Sequence, residues 1–199
     1  VYIEQAYDSM PGVNTGFGTE FNRYNTWFGE SKTWIDYLRR CMFMLQRGKP
    51  VADVCYFIGE DAPKMTGIRQ PEIPKGYNYD YINAEVIENR LSVKDGKLVL
   101  PDGVSYSLMV LPPQTSMRPA LLKKISELVA DGATILGPRP DKSPSLQDYP
   151  AADKEVQEMA AKLWQNCDGK TVKAVQYGKG RVLDGMDLQA AFDKLKVPA

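Results

Sequence analysis

Apolar residues recur at helical spacing from Ser31, where SKTWIDYLRRCMFMLQRG puts Trp34, Leu38, Cys41, Met42 and Leu45 on one face and Gly48 closes the run. Glu30 at its start and Arg39, Arg40 and Arg47 toward its end suit the helix macrodipole. The pattern changes after Pro50. VADVCYFIG is almost continuously apolar and of strand length, as expected of a strand covered on both faces of a parallel sheet. A Pro-rich linker over 62–76 is long enough to cover a cleft, and YNYDYINAEVIENRL then predicts a second helix with Tyr81, Ile82, Val86 and Ile87 as core positions.

Two short alternating strands follow, with turns at Asp95-Gly96 and Asp102-Gly103, before a buried strand over 107–111. MRPALLKKISELVADG spaces Leu121, Leu122, Ile125, Leu128 and Val129 as a buried helix face, Gly132 ends it, and ATILG is a third buried strand. Strand, helix and strand in that order make a βαβ unit. PRPDKSPSLQDYPAAD predicts a surface loop and KEVQEMAAKLWQN a helix. A hairpin around Gly178 and Gly180 and a last amphipathic helix, MDLQAAFDKLKV, complete the chain. The closely spaced glycines of QYGKGRV follow no βαβ pattern and read as that hairpin turn rather than as a phosphate loop.

From Val51 onward, alternating strands and helices describe an α/β fold: a doubly wound, mainly parallel sheet with helices on both faces and antiparallel hairpin additions. The first 50 residues do not begin that plan. A strand-like stretch over 1–6, a long aromatic loop and the Ser31 helix look like the end of an upstream domain. With Val1 first and no basic, apolar leader, the chain reads as a piece cut from a longer one.

Composition narrows the chemistry. In 199 residues, 43% hydrophobic and 25% charged, no apolar run approaches the roughly 20 residues of a membrane span. Lys+Arg and Asp+Glu both number 25, which leaves no electrostatic footprint for nucleic acid. Histidine is absent, so Ser-His or Cys-His nucleophilic chemistry and histidine-ligated zinc are excluded. Cys41, Cys55 and Cys167 show no metal spacing, and none stands on a Gly-flanked strand-to-helix turn; they read as small apolar residues. No metal or cofactor is implied.

Several strings in succession carry a family likeness: FNRYNTW, WIDYLRRCMFMLQRGKPVADVCYFIGEDAP, GYNYDYINAEVI, LSVKDGKLVLPDGVSY and ATILGPRPDKSPSL. Together they resemble the alpha-L-rhamnosidase-type glycoside hydrolases (family 106), over the stretch that leaves the catalytic (β/α)8 barrel and enters an adjoining domain. That domain is similar to the flavodoxin-like, class I glutamine-amidotransferase-like trimerisation domain of some beta-galactosidases. The resemblance implies that 1–50 is the remnant of an upstream barrel and 51–199 the flavodoxin-like domain. It also implies a bacterial, periplasmic or extracellular enzyme degrading plant-type polysaccharide, with most of the barrel and its catalytic carboxylates upstream of Val1. The fragment then supports the active site and has no catalytic residue of its own. The missing barrel and carbohydrate are its partners, and homo-oligomer formation is compatible with the likeness. A second reading is a non-catalytic carbohydrate-binding or oligomerisation domain.

The candidate substrate contacts fall in two groups. Glu4 sits late in the first strand-like stretch, toward the end at which barrel strands hold their carboxylates, or else is a solvated or arginine-paired glutamate. Asn22, Arg23 and Trp27 combine hydrogen-bonding groups with an indole face suited to a pyranose, or else the aromatics anchor the loop. Tyr79, Asp80 and Asn83 are expected before or within the first turn of the second helix, at the carboxyl side of the sheet. Asp80 there accepts sugar hydroxyls or serves as an N-terminal helix charge. Glu60 and Asp61 share that edge.

Overall fold

The computed structural model describes residues 26–61 and 69–198. The chain divides into two compact units, Val1–Lys49 and Pro50–Ala199. In the first, a short 3-10 turn, Phe28–Glu30, leads into α1 (Ser31–Leu45). The Ser31 hydroxyl donates to the Phe28 carbonyl at 2.6 Å and stitches turn to helix. On the expected apolar face Leu38 and Cys41 are half-buried, whereas Trp34, Met42 and Leu45 are exposed, Leu45 by 80%.

The second unit is built on a sheet in the order β2-β1-β6-β7-β9-β8. At its centre are β1 (Val54–Phe57), β6 (Leu108–Val110) and β7 (Thr134–Leu136), buried at every position as their unbroken apolar runs require. β1 pairs in parallel with β2 (Tyr79–Ile82) on one side and β6 on the other. β7 pairs in parallel with β6 and with β9 (Gly180–Leu183), and β8 (Ala174–Tyr177) closes the edge antiparallel to β9. The sheet is thus parallel except for β8, an α/β fold with helices packed on it.

Alternate residues of each strand feed two cores. Cys55, Phe57, Met109, Ile135 and Val182 join Ile87 of α2 (Ala84–Asn89) and the buried faces of α3 (Pro119–Asp131) and α4 (Ala151–Trp164). Val54, Tyr56, Leu108, Val110 and Leu183 meet Leu188, Ala191 and Phe192 of α5 (Leu188–Leu195) on the other face. Leu121, Leu122, Ile125 and Val129 of α3 are fully buried, each stabilising the fold by about 1.5–3 kcal/mol over exposure. The Trp164 indole, also fully buried, donates to the Gly137 carbonyl at 3.1 Å and so anchors the end of α4 beside the end of β7.

The predicted hairpins form a small antiparallel sheet of β3 (Ser92–Lys94), β4 (Lys97–Val99) and β5 (Ser105–Tyr106). Asp95 and Gly96, both at positive φ (53° and 76°), make the tight turn that the pair predicts. One element departs from expectation. The segment read as a helix from Tyr77 is an edge strand over Tyr79–Ile82, and α2 begins only at Ala84. The free edge of β1 offers a full set of backbone partners, in register from Val54↔Tyr79 to Phe57↔Ile82, and YDYI has the aromatic and β-branched residues that a pleated edge accepts. Asn83 then caps α2 by accepting from Val86 N–H at 3.0 Å. Tyr81, expected in the core, is 41% exposed as a result. Helix α4 likewise starts earlier than its expected Lys154, at Ala151, with Pro150 at its cap and Asp153 in its first turn.

Candidate functional site

The parallel strands all end on one side of the sheet, and their carboxyl ends shape a cleft of about 730 Å³. Its floor is Leu111, which follows β6, and Leu136, which ends β7; both are almost wholly buried. Gly137 (φ 154°), the residue after Leu136, packs directly against Leu111 because it has no side chain: a Cβ there would lie 2.6 Å from that of Leu111. Asp184, Gly185 and Met186 leave β9 along another wall, and Asp187 opens α5 at the rim.

The remaining wall is the segment entering β2. The Tyr56 hydroxyl, on β1, donates to the Pro71 carbonyl at 2.6 Å and holds that segment to the sheet. Arg69 donates to the Tyr79 hydroxyl at 3.1 Å, its guanidinium 5.3 Å from the centre of the same ring, and it lies 4.0 Å from the Glu72 carboxylate. The Tyr79 hydrogen bond pushes the Arg69 pKa up, so the side chain is a permanent cation.

Asp184 is held above the ordinary carboxylate range, first by burial and then by the charge of Asp168, against a lowering hydrogen bond from Gly185 N–H at 2.7 Å. Asp168 lies on the other side of the usual value. Its Oδ1 accepts from the N–H groups of Val172, Lys170 and Thr171, which favours the charged form. Asp187 spends one oxygen on the Ala190 N–H of α5 at 2.8 Å.

Tyr79, Asp80 and Asn83 are not brought together in this cleft. Tyr79 reaches it only through Arg69. The strand's alternation turns Asp80 away, toward Tyr106, whose hydroxyl donates to it at 3.1 Å. Asp80 is therefore a strand residue and not a helix-terminal charge, and Asn83 is occupied as the α2 cap. Glu60 and Asp61 do leave β1 at the carboxyl edge, but Glu60 pairs with Arg118 and Asp61 accepts from Gln114 at 2.7 Å. In the first unit, Trp27 is 39% exposed and meets Trp34 edge-on at 6.0 Å. Glu4, Asn22 and Arg23 lie outside the described residues. Arg69, Asp184 and Asp187 were not singled out in the sequence; the signal available was the LDG that ends the last hairpin strand, the place where a parallel sheet presents its loops.

Thiol chemistry finds no support in the geometry. Cys55 is wholly buried in β1 and Cys167 follows α4, with burial raising both thiol pKa values. Among the described residues no cluster of three or more His, Cys, Asp or Glu side chains is arranged to hold a metal ion, and no helix is long and apolar enough to cross a membrane.

Fold and cleft define an α/β domain that presents a polar-rimmed, apolar-floored crevice at the carboxyl edge of its sheet. The chain belongs to the alpha-L-rhamnosidase family, glycoside hydrolase 106, whose model matches residues 1–199. It is similar to a Formosa agariphila protein provisionally named a beta-glucuronidase, with 42% identity over 184 residues, 92% of this chain and 16% of the relative. The structure of a rhamnosidase from Novosphingobium sp. PP1Y superposes with a TM-score of 0.77 at 33% identity, over 96% of this chain and 18% of that one. The chain therefore spans less than a fifth of the length of either.

Proposed function

We propose that this chain is a supporting part of an exported glycoside hydrolase that acts on plant-type polysaccharide, with the catalytic acid and base supplied from elsewhere in the polypeptide. The observation that carries the reading is the family match over the whole chain, set beside the small share of each relative that it spans. In this reading residues 51–199 are a flavodoxin-like domain. The run β2-β1-β6-β7-β9, in which the chain reverses direction beside β1, supports it. Residues 1–50 are the closing piece of a (β/α)8 barrel, and the exposed Met42 and Leu45 of α1 suit a helix whose apolar face belongs against other barrel elements. Glu4, Asn22, Arg23 and Trp27 then stand on the substrate side of the barrel. The relatives' names point to different sugars, so the shared chemistry is hydrolysis of a glycosidic bond and the sugar is left open.

A chimera tests the proposal: residues 1–199 replace the matching 18% of the Novosphingobium rhamnosidase, and hydrolysis of an aryl alpha-L-rhamnoside is followed. The folded chimera is expected to keep activity while the 199-residue chain alone releases no aglycone. A folded but inactive chimera, or turnover by the chain alone, overturns it.

A further inference from the structure

The cleft at the carboxyl edge combines three kinds of surface. Leu111, Leu136 and Met186 form an apolar floor and side, Asp184 and Asp187 stand along one rim, and Arg69 stands on the wall formed by the segment entering β2. Each aspartate has Oδ1 engaged by a backbone N–H, which leaves Oδ2 as its further acceptor; that of Asp184 also lies beside Gly169. Arg69 is fixed by Tyr79 and donates from its remaining N–H groups. The volume, about 730 Å³, is that of a small-molecule site.

We propose that this cleft binds a neutral saccharide, a mono- or disaccharide unit of the polymer on which the parent enzyme acts. The chemistry selects that class. Sugar hydroxyls donate to the two carboxylates and accept from the guanidinium, while the C–H face of a pyranose lies on the leucine and methionine side chains. An anionic ligand, whether uronate or phosphate, meets Asp184, Asp187 and Glu72 with a single arginine in compensation among the described residues, and that arginine already faces Glu72 at 4.0 Å. A purely apolar ligand strips water from the carboxylates with no donor in return. The site rests on the glycoside-hydrolase reading for the identity of the polymer, and on the cleft alone for the class of ligand.

Methyl-labelled NMR of the 199-residue chain reads the site directly. On titration with galactose, rhamnose and cellobiose, at least one sugar is expected to move the methyl resonances of Leu111, Leu136 and Met186 saturably, while Leu98 and Leu128, buried elsewhere, stay still. Arg69→Gln and Asp184→Asn, each checked for an unchanged spectrum outside the cleft, weaken that sugar at least fivefold, and Met186→Trp, which fills the space, abolishes the shifts. Silent cleft methyls at saturating sugar overturn the proposal, as does a response to digalacturonate stronger than to any neutral sugar. An active chimera with a silent cleft rejects this site and leaves the enzyme reading intact; an inactive chimera whose cleft still binds sugar does the reverse.

Discussion

Glu60 accepts two hydrogen bonds from Arg118, one from its backbone N–H at 2.7 Å and one from the guanidinium Nε. The carboxylate comes from the loop after β1 and the arginine from the cap of α3, and Arg118 also reaches Glu88 of α2 at 2.9 Å. One charged side chain thus ties three elements together where α3 has no side-chain cap of its own. Glu60 is only 7% exposed while Arg118 is 41% exposed, so the buried partner is the costly one to strand and the pair is partly screened. Glu60→Ala is expected to lower stability by about 1–3 kcal/mol, read as a shift in urea midpoint at unchanged slope. Glu158→Ala, which removes the exposed partner of Lys154 on α4, should change it by about 0.5 kcal/mol or less. Equal effects of the two substitutions refute the assignment.

Gly137→Ala tests the junction of β7 with the cleft floor. The new methyl group would overlap Leu111, and the residue's φ of 154° disfavours any side chain. A loss of more than about 2 kcal/mol is expected in thermal or urea unfolding. A variant as stable as the wild type contradicts the close approach of these strand ends.

Asp184 makes stability depend on pH in a definite direction. Its folded-state pKa is raised above the unfolded value of 3.8, so the native state holds the proton more tightly. Its contribution to stability is therefore present at low pH and is lost as pH rises through the folded pKa. Asp184→Asn should melt with the wild type at about pH 3 and above it at neutral pH. Asp168, with a lowered pKa, has the opposite sign: its contribution is present above the unfolded value of 3.8 and is lost as pH falls through the folded pKa, so Asp168→Asn should destabilise by a steady amount near neutral pH and progressively less as pH falls below 3.8. Melting curves across this range check both, and a gap at neutral pH of the reverse sign for either refutes the corresponding assignment.

The thiols should separate kinetically. Cys41 is half-buried, whereas Cys55 is wholly buried with its pKa pushed up by the loss of solvent. A thiol-specific chromogenic reagent is expected to titrate Cys41 first in native protein and Cys55 only on unfolding. Prompt labelling of Cys55, identified by peptide mass, counts against its place in β1.

Much of this architecture follows from local pattern. The unbroken apolar runs around Cys55, Met109 and Ile135 had to be covered on both faces, and the helical spacing from Leu121 to Val129 had to bury one face. Asp95-Gly96 needed no tertiary help to turn the chain. Residues 79–82 were different. Their mixture of tyrosines, aspartate and isoleucine fits a helix face as well as a strand, and the vacant edge of β1 made the choice, a partner more than twenty residues distant that no local spacing encodes. The cleft depended on tertiary structure to the same degree. Arg69, Leu111, Leu136 and Asp184 lie far apart along the chain and become neighbours only because parallel pairing delivers the strand ends to one side of the sheet. The sequence by itself determined the class of fold and, through a succession of motifs, the family. Which carboxylates face a common space was decided by tertiary structure, because strand order is set by pairing between distant segments and not by the residues inside any one of them.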